Sequence, residues 1–189
     1  MGRAAVRWLL IGVVLVLGIV TALFVRGPSF WQRRYYPLQY QAQIADSAAR
    51  HRVNPYLVAA VINAESGWRH DRVSGAGARG LMQVMPETAN DLASSKRVDR
   101  TKFSPDELLD PATNIEYGTA YLRYLVDRYH EIEVALAAYN AGLSRVDEWT
   151  KNGRDIRTTI EFPETRHYVL KVMRGKEKYE TLHDGAFTK

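Results

Sequence analysis

The chain has 189 residues, a formal net charge of +5 and no cysteine. That length suffices for one domain with a real core, and the missing cysteines exclude a disulfide framework, a thiolate metal site and a cysteine nucleophile. The positive charge favours anionic surfaces. The basic residues are scattered rather than striped and no nucleic-acid-binding motif is present, which argues against nucleic acid as a partner.

In chain order, Arg3 and Arg7 precede an uncharged apolar run from Trp8 to Val25, ended by Arg26. At about 1.5 Å per residue this run nearly crosses a ~30 Å hydrocarbon core. Thr21–Val25 offers no small-x-small cleavage site, so residues 1–26 are expected to be an uncleaved membrane anchor rather than a signal peptide. Arginines flank the run on both sides and leave its orientation open. Residues 27–37, with Phe30, Trp31, Arg33, Arg34 and Tyr35, read as a juxtamembrane linker suited to a membrane interface, or as an ordered strand-like lead-in to the domain.

From residue 38 to 176 the pattern is that of an all-α domain. Ile44 and Ala48 mark a helix over 39–52. Asn54 as N-cap and Pro55 at the first helical position open a second, which ends at Glu65. A short helix is predicted over 86–92. A long amphipathic one starts at Asp110-Pro111 and passes through Tyr117, Tyr121, Leu122 and Leu125. An Ala-rich apolar helix covers 132–139 and is broken by Asn140-Ala141-Gly142. The last starts at Pro163 and reaches about Lys176. Residues 157–160 are expected to be extended, and 177–189 to form a polar, loosely held tail.

Glu65 is the first candidate for chemistry. It follows Val61 by four residues and Ile62 by three, so it falls on the apolar face made by Leu57, Val58, Val61 and Ile62. An acid held there loses hydration, and its pKa rises. A carboxyl protonated near neutral pH can donate a proton to a leaving oxygen, as glycosidic cleavage requires. Trp68, just beyond, either covers this acid or fills the core. Between Arg72 and Met85 lies a Gly-rich stretch that a ligand can approach closely. In it Gln83 can make paired hydrogen bonds and Met82 and Met85 supply soft apolar contact. It lacks the Gly-Lys-Ser/Thr ending of a phosphate loop. His70, His130 and His167 show no metal-ligand pairing, so no metal and no cofactor are expected.

Glu65-Ser66, Ser74, Gly77-Ala78-Arg79-Gly80-Leu81-Met82-Gln83, Asn114-Ile115, Ala138-Tyr139-Asn140-Ala141-Gly142 and Pro163-Glu164-Thr165-Arg166-His167-Tyr168 occur in that order. Over residues 40 to 175 this set resembles the soluble lytic transglycosylase catalytic domain, a lysozyme-like family of peptidoglycan-cleaving enzymes. The resemblance implies a mainly α-helical lysozyme-like domain with a substrate groove. Glu65 matches the family's single catalytic acid, and Ser74 a serine that hydrogen-bonds the N-acetyl group or the acid. Gly80, Gln83 and Met85 match groove residues contacting the glycan, Tyr139 a tyrosine near the acid, and Glu164 a substrate-binding acid. The implied reaction cleaves the bond between N-acetylmuramic acid and N-acetylglucosamine and closes a 1,6-anhydro ring. The implied location is the bacterial cytoplasmic membrane, with the domain facing the wall. Two other readings stay open: hydrolysis of the same bond, with Asp71 positioning a water, and a membrane-tethered wall-binding scaffold without turnover.

Overall fold

The structure is a computed structural model that describes residues 2–25, 29–151 and 155–188. It divides into two compact units, Met1–Pro37 and Leu38–Lys189. The first holds α1 (Arg3–Val25) and α2 (Ser29–Tyr35). Within α1 the stretch Val6–Leu23 is long and apolar enough to cross a membrane, and none of it is buried. Arg26, which ends the apolar run, lies outside the described residues together with Gly27 and Pro28. The expected linker is helical from Ser29 to Tyr35 rather than strand-like, and Trp31 and Tyr35 are exposed.

The second unit is helical, with α3 (Gln41–His51), α4 (Pro55–Glu65), α5 (Pro86–Ser94), α6 (Pro111–Tyr129), α7 (Ile132–Ala141), α8 (Leu143–Trp149), α9 (Ile156–Thr159) and α10 (Pro163–Leu182). No regular strand occurs among the described residues; Arg79 forms isolated bridges with Val73 and Val84. Local chemistry sets the helix starts. The Asn54 side chain accepts hydrogen bonds from the N–H groups of Tyr56 and Leu57, and Asp110 accepts one from Thr113, each just before a proline at the first helical position.

Helix α4 is the axis of the domain. Leu57 to Ile62 are all buried, so it is enclosed on every side rather than along a single apolar face. α10 packs along it closely: a Cβ at Gly175 would come within 3.3 Å of the Ala60 Cβ. Below them, α3 packs on α6. Glu116, buried in α6, takes hydrogen bonds from Arg50 Nη2 at 2.6 Å and faces His51 Nε2 at 2.9 Å.

Two expectations fail here. Residues 157–160 are not extended, because Ile156 and Ile160 are buried one helical turn apart. The hydroxyls of Thr158 and Thr159 also donate to the Asp155 carbonyl and close the turn. The stretch after Lys176 is not a loose tail. α10 continues to Leu182 with Tyr179 fully buried, and the Tyr179 hydroxyl accepts a hydrogen bond from Trp68 Nε1 at 2.9 Å. Beyond the helix, Tyr56 donates its hydroxyl to the His183 carbonyl and meets Phe187 edge-on. Trp68 therefore fills the core rather than covering the acid.

Candidate active site

Glu65 ends α4, where the carbonyl end of the helix dipole disfavours negative charge. Burial pushes its carboxyl from the ordinary 4.5 to about 7. A hydrogen bond from the Tyr168 hydroxyl, and the more distant charges of Arg72 and Lys171, pull the other way without cancelling it. Both cations are spent on the helix end itself. Arg72 Nη1 donates to the Glu65 carbonyl, and Lys171 Nζ to the Ala64 carbonyl at 3.2 Å.

Tyr168 comes from α10, four residues after Glu164, and its hydroxyl is buried. That hydroxyl makes no hydrogen bond of ordinary length and angle. Its pull on Glu65 is thus that of a loosely aligned neighbour and is smaller than the effect of burial. Tyr139, from α7, feels the Glu65 charge as well, and burial raises its phenol well above the usual value. The Tyr139 hydroxyl donates to the Met82 carbonyl at 2.9 Å. The acid is thus flanked by two neutral phenols, and the charges that reach it are cationic.

The Gly-rich stretch folds into a tight double turn beside this acid. Arg79 and Val84 exchange backbone hydrogen bonds, and Ser74 pairs with Ala78. Asn114 of α6, fully buried, fixes the turn by giving its amide N–H groups to the carbonyls of Arg79 and Leu108 and accepting from Met82 N–H at 2.7 Å. Gly80 is buried against it, at φ +75°; a Cβ there would overlap the Asn114 amide and the Leu108 carbonyl. The absence of a side chain at Gly80 thus lets Asn114 reach the turn. Gln83 sits in the left-handed region at φ 48°, a conformation that costs a non-glycine residue about 1–3 kcal/mol. It is held there by hydrogen bonds from Nε2 to the carbonyls of Arg72 and Gly80. These two bonds occupy the Gln83 Nε2 group.

Gln83, Met85 and Tyr139 line one cavity of about 310 Å³, together with Thr88, Tyr121 and Asn140. Ser74 and Glu164 do not line it. Ser74 is half-buried, and its Oγ accepts from Ala78 N–H at 3.0 Å, which leaves the hydroxyl proton for a ligand. Glu164 is exposed in the first turn of α10, while its neighbour Thr165 is buried and ties that turn to Asn140 at 2.9 Å. Asp71 is exposed and is not among the groups that set the charge of Glu65. Among the described residues no cluster of ligating side chains could hold a metal ion.

Sequence reasoning left Arg72, Lys171 and Tyr121 without a role. Tyr168 closed the Pro163–Tyr168 stretch of the resemblance but was likewise given no role.

The transglycosylase SLT domain family matches residues 43–161, and the chain belongs to that family. It is 34% identical over 145 residues to the soluble lytic murein transglycosylase of Escherichia coli K12, an alignment covering 73% of this chain and 22% of that protein. It is 31% identical over 175 residues to the membrane-bound lytic murein transglycosylase C of Actinobacillus pleuropneumoniae, covering 78% of this chain and 46% of the relative. Among solved structures, the 70 kDa soluble lytic transglycosylase of Escherichia coli superposes with a TM-score of 0.74 at 32% identity, over 83% of this chain and 26% of that one. An inactive glutamate-to-glutamine mutant of the lytic transglycosylase Slt from Pseudomonas aeruginosa superposes with a TM-score of 0.70 at 32% identity, over 78% of this chain and 25% of that one. The chain thus spans about a fifth to a quarter of the soluble relatives it matches. All of these likenesses support the all-α lysozyme-like fold.

Proposed function

We propose that this chain is a peptidoglycan lytic transglycosylase held at the bacterial cytoplasmic membrane. It cleaves the β-1,4 bond between N-acetylmuramic acid and N-acetylglucosamine, with no metal and no cofactor. The observation that carries the reading is the Glu65 carboxyl, raised to about 7 by a burial that Tyr168, Arg72 and Lys171 do not offset. Glu65 protonates the bridging oxygen as the C1–O bond breaks. The N-acetyl carbonyl oxygen of the muramoyl sugar bonds to C1 and carries the positive charge. The muramoyl C6 hydroxyl then bonds to C1, displaces that oxygen and returns its proton to the Glu65 carboxylate. No water is consumed, so one acid serves both steps, consistent with a site whose charged neighbours are cations.

Ser74 hydrogen-bonds the N-acetyl group, Gln83 and Met85 contact the glycan along the cavity, Tyr139 stands beside the acid, and Glu164 binds substrate at the rim. Residues 1–26 form the anchor, with Arg3 and Arg7 in the cytoplasm and the catalytic domain on the other side, and residues 27–37 join the two. The length and exposure of α1 and the name of the membrane-bound relative support the anchor, and the orientation follows from a substrate that lies outside the membrane. The test is mass spectrometry of purified peptidoglycan after digestion. The wild type should release products ending in 1,6-anhydromuramic acid, and Glu65→Gln should lose at least about a hundredfold to ten-thousandfold of that rate. Reducing-end products, heavier by one water, would make the enzyme a hydrolase.

A further inference from the structure

Glu65 is the last residue of α4, and the chain beyond it doubles back on that helix end. Gly67 and Trp68 both adopt the left-handed region, at φ 60° and 69°, and turn the chain around. The buried Trp68 indole, bonded to the Tyr179 hydroxyl, fixes this turn in the core. Arg69 Nε then donates to the Ser66 carbonyl at 3.2 Å, and Arg72 Nη1 donates to the Glu65 carbonyl, which closes a loop over residues 65–72. Arg72 is half-buried, and its main chain faces the glycine-rich turn. The Arg72 carbonyl accepts the Gly80 N–H at 2.8 Å and Gln83 Nε2 at 3.1 Å. One residue therefore joins the main chain of the acid to the turn that carries Gln83. Lys171 caps the neighbouring Ala64 carbonyl from α10, so the tie to the turn rests on Arg72.

We propose that Arg72 is a positioning residue for Glu65, holding the acid in register with the glycine-rich turn and setting a cation beside the carboxylate that forms between the two steps. The proposal rests on the transglycosylase reading for those steps. A single carboxyl that gives a proton and then takes one back must stand within reach of the bridging oxygen first and of the C6 hydroxyl second. The last carbonyls of a helix have no partner inside it. A guanidinium on the Glu65 carbonyl supplies one at the residue whose side chain has to be held. Its planar fork is pre-organised and loses little freedom per hydrogen bond. Because the bond goes to the carbonyl and not to the carboxyl, burial still keeps the resting acid neutral, while the charge of Arg72 favours the ionised form. The groups that face the carboxyl are Arg72 from the loop, Tyr168 and Lys171 from α10, and Tyr139 from α7.

The test compares the full chain in detergent micelles with Arg72→Met and Arg72→Lys. Release of anhydro ends from soluble glycan strands is followed over a range of pH, below the melting transition of each protein. Arg72→Met should lower kcat by roughly tenfold to a hundredfold and leave KM within about twofold of the wild type. Its alkaline limb should move to higher pH, because a cation that favours the carboxylate is gone. Arg72→Lys keeps the charge, so it should bring the limb back and recover part of the rate. Three outcomes overturn the proposal: an unchanged kcat in Arg72→Met, a raised KM at unchanged kcat, which would put Arg72 on the glycan, or a limb that ignores the charge at this position, which would leave only a structural tie. Infrared titration of the Glu65 carboxyl reads the same shift without turnover. A wild type that makes no anhydro ends, with a Glu65 midpoint that rises in Arg72→Met and returns in Arg72→Lys, would sink the reaction assigned above and leave the hold of Arg72 on the acid standing.

Discussion

A half-buried glutamate, Glu65, and a buried one, Glu116, meet opposite fates in this domain. For both, burial is the largest influence and pushes the carboxyl towards neutrality. Glu116 receives hydrogen bonds from His51, Arg50 and Ser47, which reverse the burial effect and bring it from 4.5 down to about 2. Glu65 has a loosely aligned phenol and two cations committed to backbone carbonyls, and it ends at about 7. Burial alone does not make an acid; burial without committed donors does. One glutamate ties α3 to α6, and the other is left poised to give up a proton.

The comparison breaks most visibly at Glu116. Glu116→Ala strips the buried partner from Arg50 and His51. Removal of one member of a buried pair costs about 3–5 kcal/mol. The Arg50 side chain is 41% exposed, so water offsets part of this and a loss of about 2–3 kcal/mol is expected in denaturant unfolding. An unchanged midpoint would mean that the network is decorative.

The two carboxyls should also oppose each other in pH. Glu116 has a lowered folded value, so its contribution is present above 4.5 and is lost as pH falls towards 2. Glu65 has a raised one, so the stability tied to its protonated form is complete below 4.5 and is lost as pH rises through 7. A displacement from 4.5 to about 7 is worth roughly 3 kcal/mol. Glu65→Gln should therefore melt like the wild type at pH 4.5 and be more stable than it at pH 8, by up to that amount. Equal melting at both pH values would mean that Glu65 is not desolvated.

The smallest effect is expected at Tyr168. Its hydroxyl lowers the Glu65 value, so Tyr168→Phe should move the alkaline limb of the activity profile to higher pH by a fraction of a unit. A shift to lower pH would reverse its assigned role.

Much of this was legible from the chain. Asn54-Pro55, Asp110-Pro111 and Pro163 mark helix starts through capping and proline chemistry, which are local and therefore readable. The position of Glu65 at the end of α4 was legible, but the single apolar face was not found, because Leu57 to Ile62 are all buried. What was not legible depends on distant partners. The polar look of residues 177–189 hid Tyr179, whose burial is decided by Trp68 more than a hundred residues earlier. The missing side chain of Gly80 makes room for Asn114 of α6, a partner 34 positions away that local sequence does not reveal. α8 was missed although Val146 and Trp149 share a buried face, because the preceding Asn-Ala-Gly reads as a break. The Arg50–His51–Glu116 network joins residues about 65 positions apart, and no spacing rule reaches that far.

The most direct measurement is the titration of the Glu65 carboxyl itself, followed in the infrared as the difference between wild type and Glu65→Gln. A proton lost near pH 7 is the result predicted here. Loss near the ordinary carboxylate value of 4.5 would show that Glu65 is ionised at neutral pH and cannot be the acid.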